Sequence, residues 1–383
     1  MSFAVQGNSL NIVPRFEMSE KSEPLSRTEV VSQSSSVNTA QGQSLKGMAA
    51  SLDRYSERLR IARGQADAVA VAVTTAACGI PVSGQGVAEF VHTTQVKSAE
   101  AVKSLSALGD SLEGCQVQGH LLEAEQRKML ASFTSPACVD PEFAAETLKQ
   151  LQALPGGPVQ NNTYQRAAAS GTSDFFADLN NMIDFIKGGY LSPYEVLLTR
   201  YTAFYKQFNE DVMSKMGGWV TGKDDGKRIE VSKDLYSVLE SFTNQYSVLA
   251  QDILYPSGAD HISGGVGKDE AEKWAQAFGQ DKSNVAQLLD GSYVVKLDMG
   301  PINSMMSGLD ALGMRDTVTL DSAKFQAWQT GFNTQESELK NKLQMFTTKY
   351  GNANSYHENF NKILSSQLSQ YAEMLKAIVS GIG

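Results

Sequence analysis

The C-terminal part of the chain repeats apolar side chains at alternating steps of three and four residues. The series follows Asp321, a residue type that caps helices, and consists of Phe325, Trp328, Phe332, Leu339, Leu343, Phe346, Tyr350, Phe360, Leu364, Leu368, Tyr371 and Ile378. This spacing predicts one very long helix with the apolar seam of a coiled coil. At ~1.5 Å per residue the helix would be on the order of 85 Å long. It needs a partner, because helices gain most of their stability from packing.

The segment from Asp174 to Met216 is the predicted partner. It has similar spacing at Phe175, Leu179, Met182, Ile186, Tyr190, Tyr194, Leu197, Tyr201, Phe204, Phe208 and Val212. The chain between Met216 and Asp321 joins the adjacent ends of the two helices, which predicts an antiparallel pair. Counting back from this junction places residue 188 beside roughly residue 349.

Gly188, Gly189 and Pro193 fall inside this second helical pattern. Ser192 is followed by Pro193 and, three residues on, by Glu195, which is the pattern of a capping box at a helix start. We therefore predict a break or kink near residues 188 to 192 and a new helix after it. The break would face a polar interruption of the C-terminal seam at residues 350 to 355.

The N-terminal region predicts a helical hairpin. One pattern runs from Leu45 to Val73 and stops at Gly79-Ile80-Pro81, and a second runs from Val96 to Leu112. A third segment spans 119 to 133, and a short helix spans 141 to 154. Residues 1 to 43 end in a stretch rich in Ser, Gln, Val and Asn without periodicity, which is typical of disorder.

The middle region changes character and predicts a small mixed domain. Two short strand patterns flank the turn signal Gly222 to Gly226, and helices are predicted at 233–251, 269–278 and 301–312, with strands at 293–297 and 318–320. The predicted fold is mainly α with a small α+β part. Its divisions are a disordered segment (1–43), a helical hairpin region (44–154), a linker (155–173), the first long helix (174–218), the mixed domain (219–320) and the C-terminal helix (321–383).

Several function classes do not fit this sequence. The net charge of −9 argues against nucleic acid as a partner, and no run reaches the ~18 apolar residues of a membrane span. Cys78, Cys115 and Cys138 have no CxxC spacing, and the four histidines have no HExxH spacing, so we expect no metal site and no cofactor. The N-terminus carries no pattern of a cleaved secretory signal.

Two further motifs have simpler interpretations than a catalytic site. The segment Gly264 to Asp269 resembles a phosphate loop loosely, but Ile262 and Asp269 occupy two of the required positions, so we predict an ordinary loop. Asp224 and Asp225 fit a turn between strands. The residues therefore indicate a helical protein that is not an enzyme.

Five segments resemble a known family. They are Asn209 to Val220, Gly291 to Val295, Leu320 to Phe332, Lys349 to Ser355 and Lys362 to Ser366. Together they resemble the type III secretion needle-tip proteins of the invasin D group, the IpaD/SipD/BipD family. The matches keep their order and span about residues 175 to 370, so the resemblance covers the two long helices and the mixed domain.

The resemblance implies a protein that is cytoplasmic before export, leaves the bacterium unfolded through the needle under the guidance of its N-terminus, and then caps the needle at the cell surface. It implies a ring of several copies, a pentamer in the family, that contacts the needle subunit and supports the translocator proteins. It also implies control of effector secretion and sensing of host signals such as bile salts. The N-terminal hairpin would be a self-chaperoning element that covers the rod.

Two sets of residues are candidates for these contacts. The needle-facing surface would include the polar positions Asn352, Asn354, Ser355, Asn359 and Lys362, because residues 321 to 383 carry a net charge of +1, from six Lys and five acidic residues, in a chain of −9. A groove for a sterol-like ligand would lie either along the hairpin contact line near Ile186, Tyr190 and Tyr194, or where the mixed domain meets the rod near Tyr205, Phe208, Phe325 and Trp328. Alternatively, all these apolar residues are only core packing.

Two other functions remain open from the sequence. A membrane-active helical translocator or toxin would need an apolar hairpin, which this sequence lacks. A structural filament subunit would polymerise in isolation.

Overall fold

The computed structural model describes residues 40–74, 84–132, 141–152, 175–224, 227–248, 252–313 and 316–382. The predicted linker and residues 1 to 39 of the predicted disordered segment lie outside these ranges, whereas residues 40 to 43 begin the first helix. The fold is mainly helical with two small antiparallel sheets, which confirms the predicted fold class.

The helices are α1 (Ala40–Thr74), α2 (Gly84–Ser132), α3 (Pro141–Gln152), α4 (Phe175–Asp184), α5 (Ser192–Phe208), α6 (Asp234–Val248), α7 (Lys268–Phe278), α8 (Gly300–Ala311) and α9 (Ser322–Ile382). The strands are β1 (Val220–Lys223), β2 (Arg228–Val231), β3 (Ile253–Tyr255), β4 (Val285–Gln287), β5 (Tyr293–Lys296) and β6 (Val318–Asp321). Two π-helical segments, Phe185–Leu191 and Asn209–Met213, extend α4 and α5.

The rod consists of α4, α5 and their π segments packed against the 61-residue helix α9. We predict a break or kink near residues 188 to 192, and the break is wrong, because the chain passes through this region as the π segment Phe185–Leu191 and stays helical at Ser192 (φ −55°, ψ −41°). The regular α-helix α5 does begin at Ser192. The Ser192 N–H donates to the Lys187 carbonyl five residues back. Pro193, which has no N–H, follows directly after this π turn at the N-terminal end of α5. The predicted capping box is therefore absent.

The register of the two long helices also differs from the simple count. The Tyr201 hydroxyl donates to the Leu339 carbonyl at 2.9 Å, and the Tyr190 and Tyr356 rings lie 5.4 Å apart. Tyr190 thus lies roughly two turns further along α9 than the count from the junction predicts. The first turns of α9 pack elsewhere, since Phe325 contacts Phe90 of α2 at 6.3 Å.

The N-terminal layer, formed by α1, α2 and α3, covers the rod. The separate second and third helical segments of the prediction are wrong, because α2 is one helix of 49 residues. Gly119 of α2 lies where neighbouring side chains leave little room, since a Cβ there would lie 3.2 Å from Lys187 Nζ and 3.4 Å from the Tyr55 ring. Gly119 therefore marks a close approach of helices and not a helix end.

The mixed region connects the C-terminal end of the first rod helix to the start of α9, as the sequence predicts. One sheet has the order β1-β2-β6, with Val220 opposite Val231 and Ile229 opposite Leu320. The second sheet has the order β3-β5-β4. Because β6 ends at Asp321 and α9 begins at Ser322, the first sheet fixes where the long helix starts. Asp224 pairs with Arg228 at 2.5 Å in the turn between β1 and β2, whereas Asp225 lies outside the described residues.

Residues 264 to 267 of the glycine-rich segment form a structural loop, whereas Lys268 and Asp269, which we predict as part of the same loop, begin α7. Val266 forms a β-bridge with Tyr293, and its N–H and carbonyl both bond to Tyr293 at 2.8 Å. A Cβ at Gly265 would lie 2.6 Å from the Tyr293 carbonyl oxygen and 2.5 Å from Ser292 Oγ. The close backbone contact explains the glycine without any bound phosphate.

Gly265→Ala should therefore destabilise the protein, because its new methyl group collides with backbone atoms that cannot rotate away. We expect a loss of about 2 kcal/mol in the free energy of unfolding, measured by urea denaturation. Gly258→Ala is the matched control, since a Cβ there has nothing within 4 Å, and it should change stability by less than about 0.5 kcal/mol. Equal stability of the two variants would contradict the assigned contact.

Candidate functional site

A row of polar side chains on α9 bonds to the N-terminal layer. The pairs are Tyr55 with His357 (2.7 Å), Ser56 with Glu358 (3.2 Å), Gln126 with Asn361 (2.8 Å), Thr147 with Gln367 (2.9 Å) and Arg63 with Ser355. All three helices of the N-terminal layer contribute a partner to this row. Such a contact differs from an apolar core, because its polar groups can be hydrated again when the surfaces separate.

His357 lies at the centre of this row. Its side chain is buried, and Asn361 Nδ2 lies 3.2 Å from its Nε2 and 3.4 Å from its Nδ1. Burial, together with the positive charge of Lys187, lowers the pKa of His357 to about 3. Burial raises the pKa of Tyr55 well above its ordinary value. Both partners are therefore neutral at pH 7, and the hydroxyl can donate to the imidazole.

A buried ion pair lies beside this contact. Lys187 Nζ, in the π segment, lies 3.0 Å and 3.2 Å from the two carboxylate oxygens of Glu195 on α5. The two side chains are only 8% and 5% exposed. Burial and the negative charge of Glu195 raise the pKa of the neighbouring Cys115 thiol on α2 to about 11. Cys115 is therefore a buried neutral thiol.

A cavity of about 310 Å³ lies where α1, α2, α5 and α9 meet. Leu108 and Leu198 contribute apolar walls, and Arg63 and Asn352 also line the cavity. Tyr350 and Asn354 line it too; both are more than 95% buried. The Tyr350 hydroxyl lies near the side chains of Asn354 and Cys115, but neither it nor Asn354 Oδ1 has a partner of normal hydrogen-bond geometry among the described residues. The cavity thus combines apolar walls, two buried polar groups and a guanidinium group.

The comparisons with known proteins identify the family. The family model for type III secretion systems tip complex components matches residues 18–379. This chain belongs to that family.

Relatives within the tip complex family support the assignment along most of the chain. The cell invasion protein SipD of Salmonella typhi is 32% identical over 313 residues, which are 81% of this chain and 87% of SipD. Invasin IpaD of Shigella flexneri is 36% identical over 198 residues, which are 51% of this chain and 57% of IpaD. The crystal structure of the pathogenicity island 1 effector protein from Chromobacterium violaceum aligns with a TM-score of 0.64 at 27% identity, and covers 86% of this chain and 99% of that one.

The predicted needle-facing residues of this tip complex protein do not all share one environment. Asn352, Asn359 and Lys362 are exposed, and Lys362 pairs with Glu358 at 2.7 Å. Ser355 is half-buried under Arg63 of α1, and Asn354 is buried in the cavity. The three exposed residues follow each other at steps of seven and three, so they lie on one face of α9 beside the line where α1 packs.

The predicted ligand-groove residues are mostly packed. Ile186, Tyr205, Phe208, Phe325 and Trp328 are buried in the core. Tyr190 and Tyr194 are half-buried, with their rings 5.7 Å apart, and Tyr194 also lies 5.8 Å from Trp274 of α7. Among the seven predicted groove residues, only this tyrosine pair is therefore accessible to solvent. The cavity lined by Leu198 also lies between the hairpin and the rod, but none of the seven residues lines it.

The buried polar row on α9 is not among the features predicted from the sequence. Its signal was present, because Asn354, His357 and Asn361 continue the three-and-four spacing after Tyr350. Polar residues at seam positions predict a polar contact between helices as readily as a bend.

The described residues contain no group of three His, Cys, Asp or Glu side chains placed to bind a metal ion. None of the described helices is long and apolar enough to cross a membrane.

The buried ion pair allows a stability test. Lys187→Met leaves the Glu195 carboxylate buried without its partner, and we expect a loss of about 3 kcal/mol in the free energy of unfolding. Lys215→Met is the matched control, because Lys215 also pairs with a carboxylate at 3.0 Å but is 55% exposed, and its loss should stay below about 0.5 kcal/mol. Urea denaturation at pH 7 measures both. Similar values for the two variants would show that the Lys187 pair is hydrated.

Proposed function

We propose that this tip complex protein is secreted through the type III system, caps the needle, holds effector secretion in check and supports the translocator proteins during invasion of host cells. The observation that carries the proposal is the family match along nearly the whole chain, together with a rod whose long helix α9 is covered by a layer held through polar contacts. A cap that must later admit other partners needs such a removable cover.

We further propose that the needle subunit binds the face of α9 that carries Asn352, Asn359 and Lys362. These side chains are exposed in the chain alone, and they border the line where Arg63 of α1 bonds to Ser355. Movement of α1 would add Asn354 and Ser355 to the same face. The N-terminal layer would then act as a self-chaperone, because it covers part of the contact surface until the needle or other copies of the chain replace it.

The combined variant Asn352→Asp, Asn359→Asp and Lys362→Glu should abolish needle capping, because it replaces a neutral and basic face by an acidic one. The measurements are cap occupancy of isolated needles by electron microscopy and leakage of effectors into the medium. Asn354 is not changed, since a buried carboxylate would destabilise the fold.

Lys324→Glu is the matched control for this surface. Lys324 is also exposed and pairs with an acidic residue one turn away, but it lies at the opposite end of α9. It should leave capping and secretion control unchanged. The needle assignment fails if the combined variant, folded by circular dichroism and exported at normal level, still caps needles.

For the host signal, we propose that a sterol-like carboxylate such as a bile salt binds in the cavity on the hairpin contact line. A rigid amphipathic ligand needs apolar walls with a few polar groups, and the cavity offers Leu108 and Leu198 together with Tyr350 and Asn354. Arg63, which also lines it, supplies a cation for the carboxylate. The alternative site is the region of Tyr205, Phe208, Phe325 and Trp328, where the structure has packed side chains.

Arg63→Met should weaken binding of deoxycholate about tenfold, because it removes a charged hydrogen bond to the carboxylate and keeps the length of the side chain. Arg60→Met is the control on the same helix, since Arg60 is exposed and bonds to Glu57 instead. Isothermal titration calorimetry compares the two variants with the unmodified chain. Unchanged affinity in Arg63→Met would move the proposed site to the alternative region.

A further inference from the structure

The Tyr55–His357 contact joins the N-terminal layer to α9 through a side chain that can titrate near neutral pH when it is exposed. The rings are edge to face with centroids 5.4 Å apart, and Tyr55 Oη lies 2.7 Å from Nδ1. Tyr55 is fully buried and His357 nearly so. Docking of α1 therefore takes this imidazole out of water.

The groups around the imidazole give a proton no compensating charge. Lys187 in the π segment is the charged group that acts on His357, and its positive charge opposes protonation. Cys115 on α2, Glu195 on α5, and Tyr350 and Glu358 on α9 lie near the Tyr55 hydroxyl, and Glu123 on α2 lies near Lys187. Lys187 is a cation held by Glu195, and Glu358 is held by Lys362 at 2.7 Å. Among the described residues, the ring's hydrogen-bonding neighbours are Tyr55 and Asn361, and neither is a carboxylate.

We propose that protonation of His357 releases α1 from α9, so that mildly acidic surroundings uncover the rod. This inference rests on the proposed role of the N-terminal layer as a removable cover, and it adds the trigger. A proton on Nδ1 would reverse the hydrogen bond, so that the imidazolium donates and the Tyr55 hydroxyl can only accept, and it would place a second, buried positive charge near Lys187. Release of α1 lets water solvate the imidazolium.

The direction of the pH effect follows from proton linkage. The docked His357 has its pKa lowered to about 3, whereas an exposed histidine has a pKa of about 6.5. The contribution of this group to docking is therefore complete above pH 6.5 and is lost as the pH falls toward 3. The equilibrium shifts about tenfold toward release for each pH unit in this window, which is on the order of thirtyfold at pH 5.

Release would also change which surface α9 presents. Asn354 and Asn361 are each only 1% exposed while α1 and α2 cover them. The cavity beside Tyr350 and Asn354 lies one turn from His357, so water can reach the row from that side. At acidic pH, Asn354 and Asn361 would therefore become exposed and would enlarge the polar face formed by Asn352, Asn359 and Lys362.

Hydrogen–deuterium exchange on the full-length chain, without needle or translocator, tests this inference. After correction for the intrinsic pH dependence of exchange, protection of the central amides of α1 should fall on the order of thirtyfold between pH 7.5 and pH 5.0. Protection of α6 and α8 in the mixed region should stay constant. Unchanged protection of α1 overturns the inference, whether or not the chain caps needles.

His357→Gln separates this histidine from other titrating groups, because glutamine can hydrogen-bond but does not titrate in this range. Its α1 protection should not depend on pH, whereas His120→Gln, on the exposed face of α2, should respond like the unmodified chain. A full pH response in folded His357→Gln overturns the inference. If that variant does not fold, NMR of the unmodified chain decides: the His357 ring, assigned through its contacts to Tyr55, should stay neutral at pH 5 in the docked state, and a pKa near 6.5 there overturns the inference.

Discussion

The antiparallel packing of α9 on the rod formed by α4, α5 and their π segments is the contact on which the rest of the structure depends. A helix of 61 residues cannot expose an apolar seam to water, and the largest buried side chains of the seam, such as Phe346 and Phe360, lie against the partner helix or the N-terminal layer. The first sheet fixes one end, because β6 runs directly into α9. Every other element, including the hairpin, attaches to this pair.

The two halves of the rod are built from different contacts. Toward the mixed region, Tyr201, Phe204 and Phe346 form an aromatic core with ring distances near 5 Å, such as 4.8 Å between Tyr201 and Phe346. Toward the other end, the N-terminal layer shares a buried apolar cluster with α9, and it also hydrogen-bonds to His357, Asn361 and Gln367. Net stabilisation by a buried hydrogen bond is small, at about 1 kcal/mol, and much of its value is in fixing one arrangement. The polar contacts thus fix where the layer lies on the rod.

The sequence predicts the helices, the hairpin and the mixed region because their periodicities are local. It does not predict the continuity of α2, since Gly119 indicates a helix end unless the neighbouring Tyr55 and Lys187 are known. It misplaces the register, because the long-range contacts that set it, such as those of Tyr190 with Tyr356 and of Phe325 with Phe90, leave no mark in a local pattern. Among the candidate site residues, exposure of Asn352 and burial of Asn354 follow from where α1 lies, which is a long-range contact that no local pattern contains.

The π segment Phe185–Leu191 explains how the rod accommodates the buried ion pair of Lys187 and Glu195. In an ideal α-helix, residues eight apart are rotated by about 80° around the axis, so Lys187 and Glu195 would diverge. The extra residue of a π turn reduces this to about −20°, and both carboxylate oxygens come within 3.2 Å of Nζ. Gly119 of α2 leaves the room that the lysine needs. The irregular turn, the glycine and the ion pair are therefore one arrangement, and it places a fixed positive charge near the histidine that joins the N-terminal layer to the rod.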